Sequence, residues 1–148
     1  KLYTKYFHEG CLYHVKPYPG IPEVLKRLKG EGAELAVLSN KPHENTVKVI
    51  EKTFALDTFD LVQGQSDLFP RKPAPDGALY LAERLGVLPE ECLYVGDTGT
   101  DMKTGRAANM YTVGVLWGFR DREELERDGA DQVIAQAGEL ADIYGREK

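Results

Sequence analysis

Two aspartates four residues apart, Asp97 and Asp101, close the stretch Cys92-Leu93-Tyr94-Val95-Gly96-Asp97-Thr98-Gly99-Thr100-Asp101. An apolar run of strand length stops at Gly96. A short Gly/Thr loop follows, and then a small-residue helix begins (Met102, Gly105, Ala107, Ala108). In open α/β sheets, ligands lie beyond the carboxyl ends of the strands. Asp97 falls at such an end, and Asp101 falls in the first turn of the next helix. Two convergent carboxylates at that rim suit a hard, oxygen-seeking cation such as Mg²⁺. The same pair would also serve simply to end the strand and complement the helix dipole.

Two other stretches carry matching chemistry. Ser39 and Asn40 follow the apolar run Leu35–Leu38. A hydroxyl and an amide beside the N–H groups of a following helix suit a phosphate, or plain helix capping. Lys72 stands between Arg71 and Pro73. Pro73 disfavours helical geometry for Lys72, and Pro75 opens a helix. The ammonium is therefore held on a stiff rim, where it can neutralise phosphate charge; a solvated lysine in a basic loop is the alternative. Hydroxyl and amide, cation, and paired carboxylates together fit phosphoryl transfer, which depends on charge neutralisation and positioning.

The elements that must hold these residues alternate along the chain. Ile21 to Gly30 predicts an amphipathic helix with Ile21, Val24, Leu25 and Leu28 on one face. Leu35–Leu38 reads as a strand buried on both faces, followed by a helix from about His43 to Lys52. A strand over Phe59–Val62 and a helix ending at Leu85, before Gly86, come next. The Cys92 strand leads to a helix ending near Ala108. Then come a strand over Tyr111–Leu116, a charged helix over Asp121–Arg127, a strand at Gln132–Ile134 and a helix over Gly138–Tyr144. This rhythm predicts an α/β, Rossmann-like parallel sheet with helices on both faces and right-handed crossovers. Residues Lys1 to about Val15 are aromatic-rich and helical in pattern (Leu2, Tyr3, Tyr6, Phe7, Cys11, Leu12), and Pro17-Tyr18-Pro19-Gly20 breaks them from the body. Residues 1–17 thus read as a remnant and linker, and 18–148 as the core domain. His8 and His14 lack partners at ligand spacing and read as structural or solvated.

A chain of 148 residues is about one domain. A net charge of -5, with no basic stripe, argues against a nucleic-acid partner. It also leaves an anionic substrate to be drawn in by local donors and a metal. No apolar run approaches the roughly 20 residues of a membrane span. Cys11 and Cys92, far apart, read as reduced thiols of a cytoplasmic protein.

Leu38-Ser39-Asn40, Arg71-Lys72-Pro73-Ala74-Pro75-Asp76 and Gly96-Asp97-Thr98-Gly99-Thr100-Asp101 resemble, in order, the second, third and fourth motifs of the haloacid dehalogenase superfamily. The resemblance runs from about Tyr18 to Leu140. Pro17-Tyr18-Pro19-Gly20, Ser39-Asn40-Lys41-Pro42 and Val113-Gly114-Val115-Leu116-Trp117-Gly118 are similar to its phosphoglycolate phosphatase group. It implies a Mg²⁺-dependent phosphatase of a small phosphorylated metabolite, working through an aspartyl-phosphate. By resemblance, Ser39 and Asn40 would bind the phosphoryl group. Lys72 would hold the phosphate and the nucleophile in register. Asp97 would ligate Mg²⁺, and Asp101 would ligate it or orient its waters. A pyrophosphatase, sugar-phosphate phosphatase or phosphomutase of the same superfamily is the nearest alternative; a shortened pseudo-phosphatase that binds phosphate or a partner is another.

The family's nucleophile is the first Asp of an Asp-x-Asp-Gly-Thr signature after a central strand, and this sequence contains no Asp-x-Asp; Asp57 and Asp60 have the wrong spacing. The expectation is therefore a sheet lacking the family's first central strand, with residues 1–15 as the last helix of an otherwise absent cap. The chain alone should not turn over substrate. The strands at Leu35–Leu38 and Leu93–Val95 should pair directly, gain a strand from another chain (a homo-oligomer among the options), or expose their edges.

Overall fold

A computed structural model describes residues 3–5, 20–54 and 57–147 of the chain. Six parallel strands form one sheet in the order β3-β2-β1-β4-β5-β6. The strands are β1 (Tyr3–Lys5), β2 (Glu34–Pro42), β3 (Leu61–Gln65), β4 (Cys92–Gly96), β5 (Tyr111–Val115) and β6 (Gln132–Ile134). The helices are α1 (Ile21–Gly30), α2 (His43–Thr53), α3 (Asp76–Leu85), α4 (Gly99–Ala107), α5 (Arg122–Arg127) and α6 (Gly138–Glu147).

Period-two alternation in the buried strands feeds two cores. Leu93 and Val95 of β4 join Leu35, Val113, Val115 and Ile134 beneath α1 and α6. Cys92 and Tyr94 of the same strand turn the other way, to Ala36, Leu38 and the Ala78, Leu81 and Ala82 face of α3. A smaller cluster of Val37 and Ile50 lies under α2. Strands buried on both sides are read as continuous apolar runs for this reason. Cys92 is buried, and its Sγ donates to the Leu88 carbonyl at 3.4 Å; Cys11, His8 and His14 lie outside the described residues. Among the described residues, no helix is long and apolar enough to cross a membrane.

Four expectations need correction. The slot between β2 and β4 is neither closed by direct pairing nor left open: Tyr3–Lys5 fill it in parallel register, Tyr3 opposite Glu34 on one side and Cys92 on the other. A helical pattern over residues 1–15 therefore fails at 3–5, because the unpaired edges of two buried strands outweigh a weak local helical preference. The rest of that segment lies outside the described residues. β2 also runs on to Pro42, with a register irregularity between Leu38 and Pro42, up to α2, which starts at His43 as expected. Ser39 and Asn40 accordingly belong to the strand, not to the mouth of the helix. β3 likewise begins at Leu61, not at Phe59.

At the amino edge, carboxylates anchor the strand starts. Asp60 accepts the Leu35 N–H at 2.7 Å, and Asp131 accepts the Thr112 N–H at 2.7 Å. Asp60 thus sits at the rim away from Asp97, in keeping with its exclusion as a nucleophile. On the helical layer, α6 is tied to the C-terminal turn of α1 by Tyr144, whose hydroxyl donates to the Glu31 carbonyl at 3.2 Å. Burial, and secondarily the Glu31 carboxylate, raise the pKa of this phenol. Below about pH 10, the ordinary tyrosine value, the phenol is neutral in both folded and unfolded chains. Above it the unfolded chain ionises first, so stability should fall as pH rises towards the folded pKa. Tyr144→Phe should flatten this alkaline limb in urea titrations run across pH 9 to 11 (roughly one unit either side of the ordinary value). An unchanged limb would assign the loss to other groups.

Candidate functional site

The fourth-motif loop builds the centre of the site. Thr98 is the N-cap of α4 and accepts the Asp101 N–H at 3.2 Å. Its own hydroxyl faces Asp101 Oδ2 at 3.2 Å, and the Asp97 N–H donates to the same oxygen at 3.3 Å. Asp101 is thereby folded back over the strand end. Gly96 makes room for it: a Cβ there would lie 2.5 Å from Asp101 Cγ. Gly118, in the loop after β5, does the same for Asp97, whose Cγ would stand 2.9 Å from an added Cβ. Asp97 is 5% exposed and Asp101 3%.

Lys72 arrives from the loop between β3 and α3. Its Nζ donates to Asp101 Oδ1 at 2.7 Å, with the two side chains 6% and 4% exposed. Asn40 fixes the backbone that delivers it. Asn40 Oδ1 accepts the Lys72 N–H at 2.9 Å, and Asn40 Nδ2 donates to the Lys72 carbonyl at 3.3 Å. Both ends of one amide are thus spent on one residue of a neighbouring loop. Ser39 is buried one position further back, where its Oγ accepts the Lys41 N–H at 3.0 Å.

In front of Ser39 lies a cavity of ≈ 240 Å³ bounded by Asn40, Arg71, Lys72, Asp97, Thr98, Thr100, Asp101 and Arg120. Four of the five residues singled out in the sequence meet there. Ser39 supports the strand end from behind and is not a lining residue. Arg71 was visible only as a neighbour of Lys72. Arg120 was missed altogether, because nothing local marks it: the loop after β5 must fold across before its guanidinium reaches the rim. There Arg120 pairs with Glu124 at 2.8 Å, and Glu124 in turn accepts the Gly99 N–H at 2.8 Å, which ties that loop to the start of α4.

Chemically, the cavity offers two buried carboxylates, three cations and two threonine hydroxyls. Among the described residues, no third carboxylate, histidine or cysteine completes a metal-binding group. Mg²⁺ nevertheless suits this donor set, since it keeps several of its waters and is held by one or two carboxylates together with substrate phosphate.

The family model for haloacid dehalogenase-like hydrolases matches residues 1–115. The chain belongs to the haloacid dehalogenase-like hydrolase family. Within that family, it is 38% identical over 119 residues to the phosphoglycolate phosphatase of Aquifex aeolicus, a match covering 80% of this chain and 56% of the relative. The chain therefore spans little more than half the length of the curated relatives it matches. Among solved structures of the family, a Lactobacillus delbrueckii protein, provisionally assigned as a phosphoglycolate phosphatase, superposes with a TM-score of 0.82 at 36% identity. It covers 87% of this chain and 54% of the other. The β-phosphoglucomutase of Clostridium difficile superposes at 0.72 with 26% identity, covering 87% and 54%.

Proposed function

We propose that the protein expressed from the native start of this reading frame is a Mg²⁺-dependent phosphomonoester hydrolase of a small phosphorylated metabolite, with 2-phosphoglycolate as its foremost substrate. The carrying observation is the convergence of Lys72, Asp97 and Asp101 on one small cavity at the carboxyl rim. The phosphatase names of the relatives support the same reading. A volume of ≈ 240 Å³ favours a compact ligand over a drug-sized one.

Asp97 and Asp101 are the residues that would hold Mg²⁺, which when bound would supply positive charge to the phosphoryl oxygens. Asp101 also fixes the Lys72 ammonium at the cavity wall, where it balances phosphate charge without moving during the reaction. Asn40 sets the loop that carries Lys72. The Thr100 hydroxyl at the start of α4 adds a donor where the helix dipole favours an anion. The 148 residues contain no Asp-x-Asp to accept the phosphoryl group.

Phosphate release from 2-phosphoglycolate with Mg²⁺ tests the reading in two arms. The protein from the native start should turn over, and the 148-residue chain alone should stay at background. Absence of turnover in the first arm would reject the hydrolase, and robust turnover in the second would reject the need for an Asp-x-Asp nucleophile. The likeness to a phosphoglucomutase gives a second reading, transfer to a sugar hydroxyl in place of water. Isomerisation of a hexose phosphate without phosphate release would select it.

A further inference from the structure

We infer that Arg71 reads a second negative group on the substrate, a carboxylate a short distance from the phosphate; this rests on the phosphatase reading above. Three cations line the cavity, and two of them are committed. Lys72 is held by Asp101 at 2.7 Å with both side chains buried, and Arg120 is held by Glu124 at 2.8 Å. Arg71 is exposed on the cavity wall, and among the described residues no carboxylate lies within ion-pair distance of it. Its charge is available to a ligand.

The position of Arg71 is also well defined. The residue that follows it is clamped through both backbone polar groups by the Asn40 amide. The next loop carbonyl contact is its own: the Ala74 N–H donates to the Arg71 carbonyl at 3.0 Å. A guanidinium on so fixed a backbone loses less freedom when it forms a two-pronged contact with a carboxylate. The cavity thus divides its labour. Lys72, Asp97 and Asp101 serve the phosphate end, while Arg71 serves the other end of a short, doubly anionic molecule. A phosphomonoester with an uncharged leaving group has nothing to offer Arg71.

Steady-state kinetics of Arg71→Gln and Arg71→Lys, in the protein from the native start, separate the possibilities. The two substrates are 2-phosphoglycolate and p-nitrophenyl phosphate, which carries the phosphate alone. Arg71→Gln should raise KM for 2-phosphoglycolate about tenfold or more, the worth of one charge-assisted contact. Its kcat, and both constants for p-nitrophenyl phosphate, should stay within about twofold. Arg71→Lys should recover part of the loss, keeping the charge but not the fork. An equal rise in KM for both substrates would make Arg71 a phosphate contact and overturn the inference, as would no rise for either. A wild-type protein that cleaves p-nitrophenyl phosphate while Arg71→Gln changes nothing leaves the hydrolase standing and removes this inference alone. A wild-type protein that cleaves neither ends both.

Discussion

Replacing Asp97 by Asn should lower phosphate release by about a hundredfold or more, the scale seen when one preorganised electrostatic partner of a reacting group is lost. The substitution keeps the shape of the side chain. Gly118 packs against that shape, so the Asn should fit where a larger residue would not. The fold should accordingly remain, with the urea midpoint close to wild type. The loss should also ease as Mg²⁺ is raised, because a neutral amide oxygen is a weaker ligand for a hard cation than a carboxylate. Activity near wild type in Asp97→Asn, measured on the protein from the native start, would remove Asp97 from the chemistry.

Lys72→Met should be felt first as instability. It strips the counter-ion from Asp101, a carboxylate 3% exposed. Uncompensated buried charge costs about 3–5 kcal/mol when one partner of such a pair is removed. Asp101→Asn should do comparable damage from the other side by stranding the Lys72 ammonium. Lys72→Met/Asp101→Asn should recover much of the loss: neither member of the pair is left as a charge without its partner, and the Asn oxygen can still accept from the Asp97 N–H and the Thr98 hydroxyl. Urea denaturation of the two single variants and the double variant closes the cycle. Strictly additive losses would show that the two charges do not sense one another.

The parts of the site that the sequence disclosed are those written within a few residues. Asp97 and Asp101 share one loop and one helix cap, so their spacing alone places them together. Lys72 was legible through its flanking prolines. The role taken by Asn40 was hidden, since the backbone it clamps lies 32 positions away. Arg120 was hidden for the same reason. Among the elements, the long apolar strands declared themselves, whereas Tyr3–Lys5 could not. Three residues carry too little periodicity to mark a strand, and the aromatic spacing around them favours a helix. Only the two facing edges of β2 and β4 reveal what they do.

That three-residue strand divides the sheet into two wings. β2 and β3 lie to one side of it; β4, β5 and β6 lie to the other. Each wing can assemble from neighbouring stretches of chain, but the seam between them closes only when residues from the very start meet partners at Glu34 and at Cys92. Closure spends loop entropy late and returns few hydrogen bonds for it. The amides of β1 should therefore exchange with solvent by local opening, well before those of Leu93–Val95 and Val113–Val115, so that the molecule breathes along its midline and not at its margins.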